Sequence, residues 1–149
     1  MLILRENTVS KTQLNSKIQS KVLEKIGIKC EISMFYAYYL DLNLNFTDKE
    51  YLVSKHLLLA EKLDVKVNNS KYFLITPRRG VESAWGTKAK DIFYASGLNK
   101  LKSIERVKIF TFPDDFDSKL IRNPLFYSQF FDKMTETIFF NYSDYNFSQ

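Results

Sequence analysis

The stretch Tyr72–Phe112, YFLITPRRGVESAWGTKAKDIFYASGLNKLKSIERVKIFTF, holds two apolar strand patterns with a helical pattern between them. Tyr72–Thr76 is a short apolar run of the length of a buried strand, and the Pro-Arg-Arg-Gly sequence after it predicts a loop. Ser83–Ser96 predicts a helix, because a serine can cap its start and a glycine follows its end. Ile104–Phe112 alternates again, so the stretch predicts a β-α-β unit.

The N-terminal part of the chain repeats this order. Met1–Arg5 predicts a short strand, and Ser10–Ile26 predicts a helix with leucine, isoleucine and valine recurring at i+4 and Gly27 at its end. Ile28–Leu42 predicts a long strand whose second half is apolar on both faces. We therefore expect both faces of the sheet to be covered there.

Two more helices are predicted outside these units. Thr47 and Glu50 form a capping box, and the helix behind it is expected to run to about Leu63. Asn123-Pro124 is a cap followed by proline at the first helical position. The residues expected to face inward are Leu52, Val53, Leu57, Ala60 and Leu63 in the first helix, and Leu125, Phe126, Phe130, Phe131 and Met134 in the second.

The order of elements predicts an α+β fold. Two β-α-β units are expected to form one mostly antiparallel sheet with helices packed on one face, in a ferredoxin-like topology. We expect the domain to occupy residues 1–140. Residues 141–149 have no period and predict the start of a linker or a disordered tail.

Composition indicates a globular protein. The 149 residues are 45% apolar and 26% charged, with a net charge of +5, which fits a single domain with a real core. Cys30 is the only cysteine, so an intramolecular disulfide is excluded. Neither a signal peptide nor a membrane-spanning run is evident, so the sequence predicts a cytoplasmic protein without a membrane partner.

Catalytic patterns are sparse. The only histidine, His56, lies in a predicted helix among leucines, and Cys30 lies on the apolar stripe of a strand, so packing is the favoured interpretation for both. Asp114, Asp115 and Asp117 fit a solvated turn. No metal-ligand cluster or phosphate-binding glycine loop is found, and we predict no catalytic residue and no metal site.

The loop after Thr76 and the helix behind it carry the densest set of functional candidates. Ser83, Thr87 and Lys88 lie near a helix N-terminus, where backbone N–H groups favour an anion, and Arg78 could add a bidentate contact. In the alternative, Arg78 pairs with Asp91 or Glu105, and the only tryptophan covers the core. The candidates for an interface or a phosphate contact are Arg78, Gly80, Ser83, Trp85, Thr87, Lys88, Asp91 and Arg106.

The same stretch resembles the N-terminal domain of large-type phosphoribosylformylglycinamidine synthase. That family's pattern is roughly Pro-Arg-x-Gly-Thr-x-Ser-Pro-Trp-Ser-Ser-Lys-Ala-Thr-Asp-Ile, followed by Cys-Gly-Leu and Ile-Glu-Arg-Gly. The matching segments, which span nearly the whole chain, are Met1–Arg5, Tyr36–Leu42, Thr76–Ile92, Ser96–Leu98, Ile104–Arg106 and Asp132–Phe139. The departures are Val81, Ala84 and Gly86 for Thr, Pro and Ser, Ser96 for Cys, Val107 for Gly, and Lys133 for Arg.

The resemblance implies a part in purine biosynthesis. The family's enzyme uses ATP and glutamine to convert formylglycinamide ribonucleotide to formylglycinamidine ribonucleotide, with its ATP, Mg and glutaminase chemistry in later domains. The N-terminal domain resembles a fused pair of small subunits that packs on the synthetase domain and links it to the glutaminase domain. We therefore expect a chain that is inactive alone and binds no cofactor itself. Arg78, Trp85, Lys88 and Asp91 are the expected docking residues, with a substrate-phosphate contact as a second interpretation.

A small nucleic-acid-binding module is the alternative from another class. The aromatic side chains of Lys108–Phe112 resemble those of base-stacking sheets. That strand lacks the glycine-rich first half of the RNA-recognition pattern, so no nucleic-acid partner is expected.

Overall fold

Six strands in the described part of the chain form one sheet in the order β3-β1-β2-β5-β4-β6, and the pairings between them are antiparallel. The structure, a computed structural model, describes residues 1–6, 32–63 and 71–145. The strands are β1 (Leu2–Glu6), β2 (Ser33–Leu42), β3 (Ala60–Lys62), β4 (Lys71–Pro77), β5 (Leu101–Phe112) and β6 (Glu136–Phe139). The helices are α1 (Asp48–Leu58), α2 (Ala84–Ala95), α3 (Ser118–Ile121) and α4 (Pro124–Tyr127), with a 3₁₀ turn at Tyr142–Asp144.

Each half of the chain contributes three neighbouring strands. The halves join along β2 and β5, which pair over ten positions from Ser33 opposite Thr111 to Leu42 opposite Leu101. The predicted α+β class, the antiparallel sheet and the helices on one face are confirmed. The predicted helix Ser10–Ile26, Gly27 and Cys30 lie outside the described residues.

The middle of the sheet is buried on both faces, as the apolar pattern of β2 predicts. On the helical face, Tyr38 and Leu40 pack with α1 and α2, while Met34 packs toward α3 and α4. On the opposite face, Ala37 and Tyr39 pack in a separate cluster. That cluster also includes Leu74, Val107, Ile109, Tyr142 and Tyr145.

The first of the two additional predicted helices is shorter than expected. Its capping box is confirmed, because Thr47 Oγ1 accepts from the Glu50 N–H and the Glu50 carboxylate accepts from the Thr47 N–H. Helix α1 ends at Leu58, and Leu59 adopts a left-handed conformation with φ of 50°. The following residues leave the helix to pair with β1 as the edge strand β3.

The inward face predicted for α1 is therefore wrong in part. Leu52 and Leu57 are 61% and 36% exposed. Ala60 and Leu63 are buried, but Ala60 belongs to β3 and Leu63 follows that strand. The helical pattern of apolar residues continues into the segment that can pair with β1. That segment forms a strand because its backbone N–H and C=O groups find hydrogen-bond partners on β1.

The final predicted helix is also cut short. Asn123 caps it by accepting from the Leu125 N–H, as predicted, but α4 ends at Tyr127. Phe126 is buried, whereas Leu125 and Met134 are exposed, so the predicted single helical face is wrong. The chain instead turns at Asp132 and adds β6, where Thr137, Ile138 and Phe139 suit a strand.

The segment predicted as a linker or tail contains core residues. Tyr142 and Tyr145 are buried against the face opposite the helices. Tyr39 Oη donates to the Tyr142 carbonyl oxygen at 2.9 Å, and the Tyr39 and Tyr145 rings meet edge to face. Residues 146–149 lie outside the described part of the chain.

Candidate interaction site

The start of α2 is fixed to the central strand β5 by one carboxylate. Ser83 caps the helix by accepting from the Gly86 N–H at 3.0 Å, and its hydroxyl donates to Glu105 Oε1 at 2.5 Å. The Ser83 N–H lies 3.4 Å from Glu105 Oε2 and the Arg106 N–H lies 3.3 Å from Oε1. Glu105 is only 3% exposed, and these donors offset the cost of burying its charge.

Gly86 allows the helix to lie this close to the sheet. A Cβ atom at this position would lie 2.7 Å from the Ile104 carbonyl oxygen and 3.0 Å from Glu105 Oε2. Real Cβ atoms do not approach a backbone oxygen so closely, so any other residue would push α2 outward. The synthase pattern has serine at this position, whereas this chain has the glycine that its close contact between helix and strand requires.

Trp85 covers the core and forms part of an aromatic stack. Its ring stacks on Tyr38 with centroids 5.6 Å apart, and the Arg106 guanidinium lies 5.2 Å from the Trp85 centroid and 4.6 Å from that of Tyr36. Burial raises the pKa of Tyr38, which the nearby Glu6 charge raises further and the Arg106 charge lowers. Trp85 is thus partly buried against the core, as in the alternative interpretation of this stretch, and its part in an interface stays a prediction.

Arg78 does not form the carboxylate pair that the sequence suggested. Among the described residues, its Nη1 donates to the Met134 carbonyl oxygen at 3.4 Å, and its backbone N–H donates to the Thr135 carbonyl at 3.0 Å. These contacts join the loop after β4 to the turn before β6. The Glu105 carboxylate accepts a hydrogen bond from the Ser83 hydroxyl instead.

Arg78 and Gly80 line a cleft of about 190 Å³ at the end of β4. Gly80 has a φ of 78°, which favours glycine and sets the turn. The walls carry two guanidinium groups and two carboxylates, because Arg79, Glu82 and Glu105 also contribute. This balance of charge favours no anion, and the contact with a substrate phosphate stays a prediction.

A second and more apolar depression lies between α1 and α2. This α1–α2 groove has a volume of about 320 Å³. Trp85 and Lys88 meet in it, whereas Asp91 and Thr87 are exposed elsewhere on α2, with Thr87 Oγ1 donating to the Ser83 carbonyl at 3.1 Å. The groove is lined by Leu57, Leu58, Trp85, Lys88, Ala89, Ile92 and Phe93.

The remaining chemical candidates are dispersed. His56 is exposed near the end of α1, and Asp114, Asp115 and Asp117 are exposed in the turn after β5, where Asp117 caps α3. Within 1–6, 32–63 and 71–145, no group of three or more His, Cys, Asp or Glu side chains is placed to hold a metal ion. Over the same residues, no helix has the length and apolar content needed to cross a membrane.

The aromatic side chains that favoured a nucleic-acid module are not available for stacking on bases. Phe110 and Phe112 are buried in the cluster between the sheet and α3 and α4. Each packs against other phenylalanine rings, Phe73 and Phe130 among them. The strand that resembled an RNA-binding surface is core.

Residues 35–147 match a family model described as formylglycinamide ribonucleotide amidotransferase N-terminal. The chain belongs to this family. The match contains the whole loop, helix and strand on which the resemblance to the synthase rests, and it confirms the expected family and its place in purine biosynthesis.

The geometry of this amidotransferase N-terminal domain explains part of the motif. Ser83 and Glu105, separated by 22 residues in the chain, form the hydrogen bond that fixes α2 on β5. Glu105 was named as a possible partner of Arg78 but was not among the candidate site residues. Glu105 lies on the same side of the strand as Val107 and Ile109. A charged residue in such an apolar row was the sequence signal that could have indicated a structural role.

Sequence patterns did not indicate that Leu57 and Ile92 lie on the surface of the amidotransferase domain. They predict that Leu57 faces inward, and they include Ile92 only in the motif shared with the synthase. Both contribute exposed apolar area to the α1–α2 groove, at 36% and 47% exposure. Helical periodicity could not show this, because it gives an apolar face and not what covers that face.

Proposed function

We propose that this chain serves as the docking domain of an ATP- and glutamine-dependent C–N ligase that converts formylglycinamide ribonucleotide to formylglycinamidine ribonucleotide. The family match over residues 35–147 is the observation that carries this proposal. The partners are the synthetase and glutaminase domains of the same enzyme, and the cytoplasm is the expected compartment.

The chemistry is assigned to those partner domains. Glutamine hydrolysis needs an activated nucleophile beside a base, and phosphoryl transfer needs groups that position Mg and ATP. In the described ranges the single histidine is exposed on α1, and no cluster of metal-ligand side chains is present. We propose that this chain has no turnover alone and that ATP and Mg bind to the synthetase domain.

Exposed apolar surface supports the docking role. Monomeric proteins expose isolated apolar residues, but neighbouring ones that line a groove indicate an interaction site. Trp85, Leu57 and Ile92 from two helices meet in the α1–α2 groove. Tryptophan is also among the residues most enriched where protein partners bind most strongly.

Calorimetric titration of the full chain with the purified synthetase domain of formylglycinamide ribonucleotide amidotransferase from the same organism tests this function. We expect a saturable complex with one chain per synthetase domain. The chain alone should show no ATP- or glutamine-dependent turnover. Absence of a complex, or turnover by the chain alone, would overturn the proposal.

A further inference from the structure

We propose that the α1–α2 groove receives an apolar segment of the synthetase domain that carries a carboxylate for Lys88. This inference rests on the proposed docking function and adds the surface and the chemistry of the segment that it binds.

The groove offers area that docking would remove from water. Six of its seven lining residues are apolar, and the most exposed of these, Leu57 and Ile92, lie on different helices. Completing the burial of such side chains is favourable, because it removes apolar surface from water. A flat polar surface of the partner would forgo this gain, so the fitting segment is apolar.

Charge sets the second requirement for that segment. Of the described residues that line the groove, Lys88 is the only charged one. Among the described residues no carboxylate lies within ion-pair distance of its ammonium group, whereas Lys55 on α1 is already paired with Glu61 at 3.2 Å. An apolar segment with a carboxylate would complement Lys88, and one with a cation would be repelled.

The groove is held in shape before any partner arrives. The Ser83–Glu105 hydrogen bond fixes the start of α2, and Ala89 and Phe93 are buried against the sheet along the same helix. A preformed surface loses little freedom on binding. We therefore expect substitutions in the groove to act on the partner contact directly.

Binding of full-chain variants to the synthetase domain provides the test. Leu57→Asp and Ile92→Asp should each weaken the dissociation constant by about tenfold or more, which corresponds to roughly 1.4 kcal/mol. Lys88→Glu should weaken it similarly, whereas Lys88→Met should weaken it less. Leu125→Asp, the same change at an exposed leucine on α4 outside the groove, is the matched control and should leave binding within about twofold.

The outcomes separate this inference from the function on which it rests. If the unaltered chain fails to bind the synthetase domain, the docking function itself is wrong. If it binds, but the groove variants bind as the Leu125→Asp control does, the groove assignment is wrong. Sedimentation of the chain alone tests whether a second copy of the chain occupies the groove. A dimer that Ile92→Asp abolishes would overturn the assignment to the synthetase domain. Circular dichroism on each variant checks that it is folded.

Discussion

Glu105 is the one charged residue among the buried side chains described in this domain. An unpaired carboxylate in that position would cost several kcal/mol. Ser83 and two backbone N–H groups supply donors instead, and the result is a fixed start for α2. The same residue forms one wall of the cleft near Arg78, so its charge limits what that cleft can accept.

Glu105→Gln should lower the free energy of unfolding by about 1–3 kcal/mol, because the amide presents a donor to the Ser83 N–H and loses the charge-assisted hydrogen bonds. Urea denaturation followed by fluorescence of Trp85 measures this change. Glu82→Gln, an exposed acid in the adjacent loop, is the control and should change stability by less than about 0.5 kcal/mol. Equal losses in the two variants would contradict the role assigned to Glu105.

Buried tyrosines make stability depend on alkaline pH. Burial raises the pKa of Tyr39 far above its usual value of 10, and the nearby Tyr142 raises it further, while burial and the Glu105 charge raise that of Tyr145. A raised folded-state pKa adds stability that is fully present below pH 10 and is lost as pH rises above it, because the unfolded chain then releases protons that the folded chain keeps.

Tyr39→Phe should therefore make the loss of stability above pH 10 shallower by up to about 1.4 kcal/mol for each pH unit. At neutral pH the variant should be less stable by about 1 kcal/mol, because it loses the hydrogen bond to the Tyr142 carbonyl. Urea unfolding at pH 7 checks the loss at neutral pH, and urea unfolding between pH 9 and 11 checks the slope. Tyr94→Phe is the control, because it also removes a hydroxyl-to-carbonyl hydrogen bond, but from an exposed ring. The prediction is wrong if the unfolding free energy of Tyr39→Phe falls with pH as steeply as that of the unaltered chain.

At the scale of elements, α1 shows how a helix end is chosen. Its start is determined by the local capping box of Thr47 and Glu50. Its end is marked by Leu59, a non-glycine residue at positive φ. Such a conformation costs a residue with a side chain roughly 1–2 kcal/mol. The cost is offset because it turns the chain into β3, which pairs with β1.

Leu59→Gly should raise the free energy of unfolding by about 0.5–1 kcal/mol, because glycine adopts the left-handed conformation without strain. Leu59 is 67% exposed, so little packing is lost. Leu52→Gly, at an equally exposed position inside α1, is the matched control and should lower stability by about 1 kcal/mol. Thermal and urea unfolding compare the two, and destabilisation by both would show that Leu59 is not strained.

The elements with strong local signals were predictable. The cap of α2 at Ser83, the left-handed Gly97 behind it and the proline start of α4 all stand where the sequence placed them. The strands β3 and β6 were not predicted, because each is four residues or shorter and lies at an edge of the sheet. Their existence depends on an unpaired neighbouring strand, which no local pattern reveals.

At the scale of the whole molecule, the two faces of the sheet are covered by different means. The four helices of the described residues pack on one face, and the segment with Tyr142 and Tyr145 packs on the other. Tyr142 also stacks on Tyr72 with ring centroids 4.3 Å apart. This short segment shields Tyr39, Val107 and Ile109 from water.

Truncation after Phe140 should destabilise the domain by more than about 3 kcal/mol, since it removes two buried aromatic side chains from a packed cluster. Urea unfolding measures the loss, and increased binding of a hydrophobic dye would report the uncovered sheet. Truncation after Tyr145 keeps both buried tyrosines and is the control. Equal stability of the two truncated chains would show that the segment contributes nothing to the core.

The sequence by itself determined the α+β class, the central strands, the helix caps and the family, because each depends on local periodicity or on one long motif. It also placed Trp85 and Lys88 in a single helix. Only the tertiary structure decided that Arg78 bonds to the turn before β6, that Glu105 is held by Ser83, and that Leu57 joins Ile92 in an exposed groove. These depend on which elements lie side by side, and that is set by pairing and packing between residues far apart in the chain.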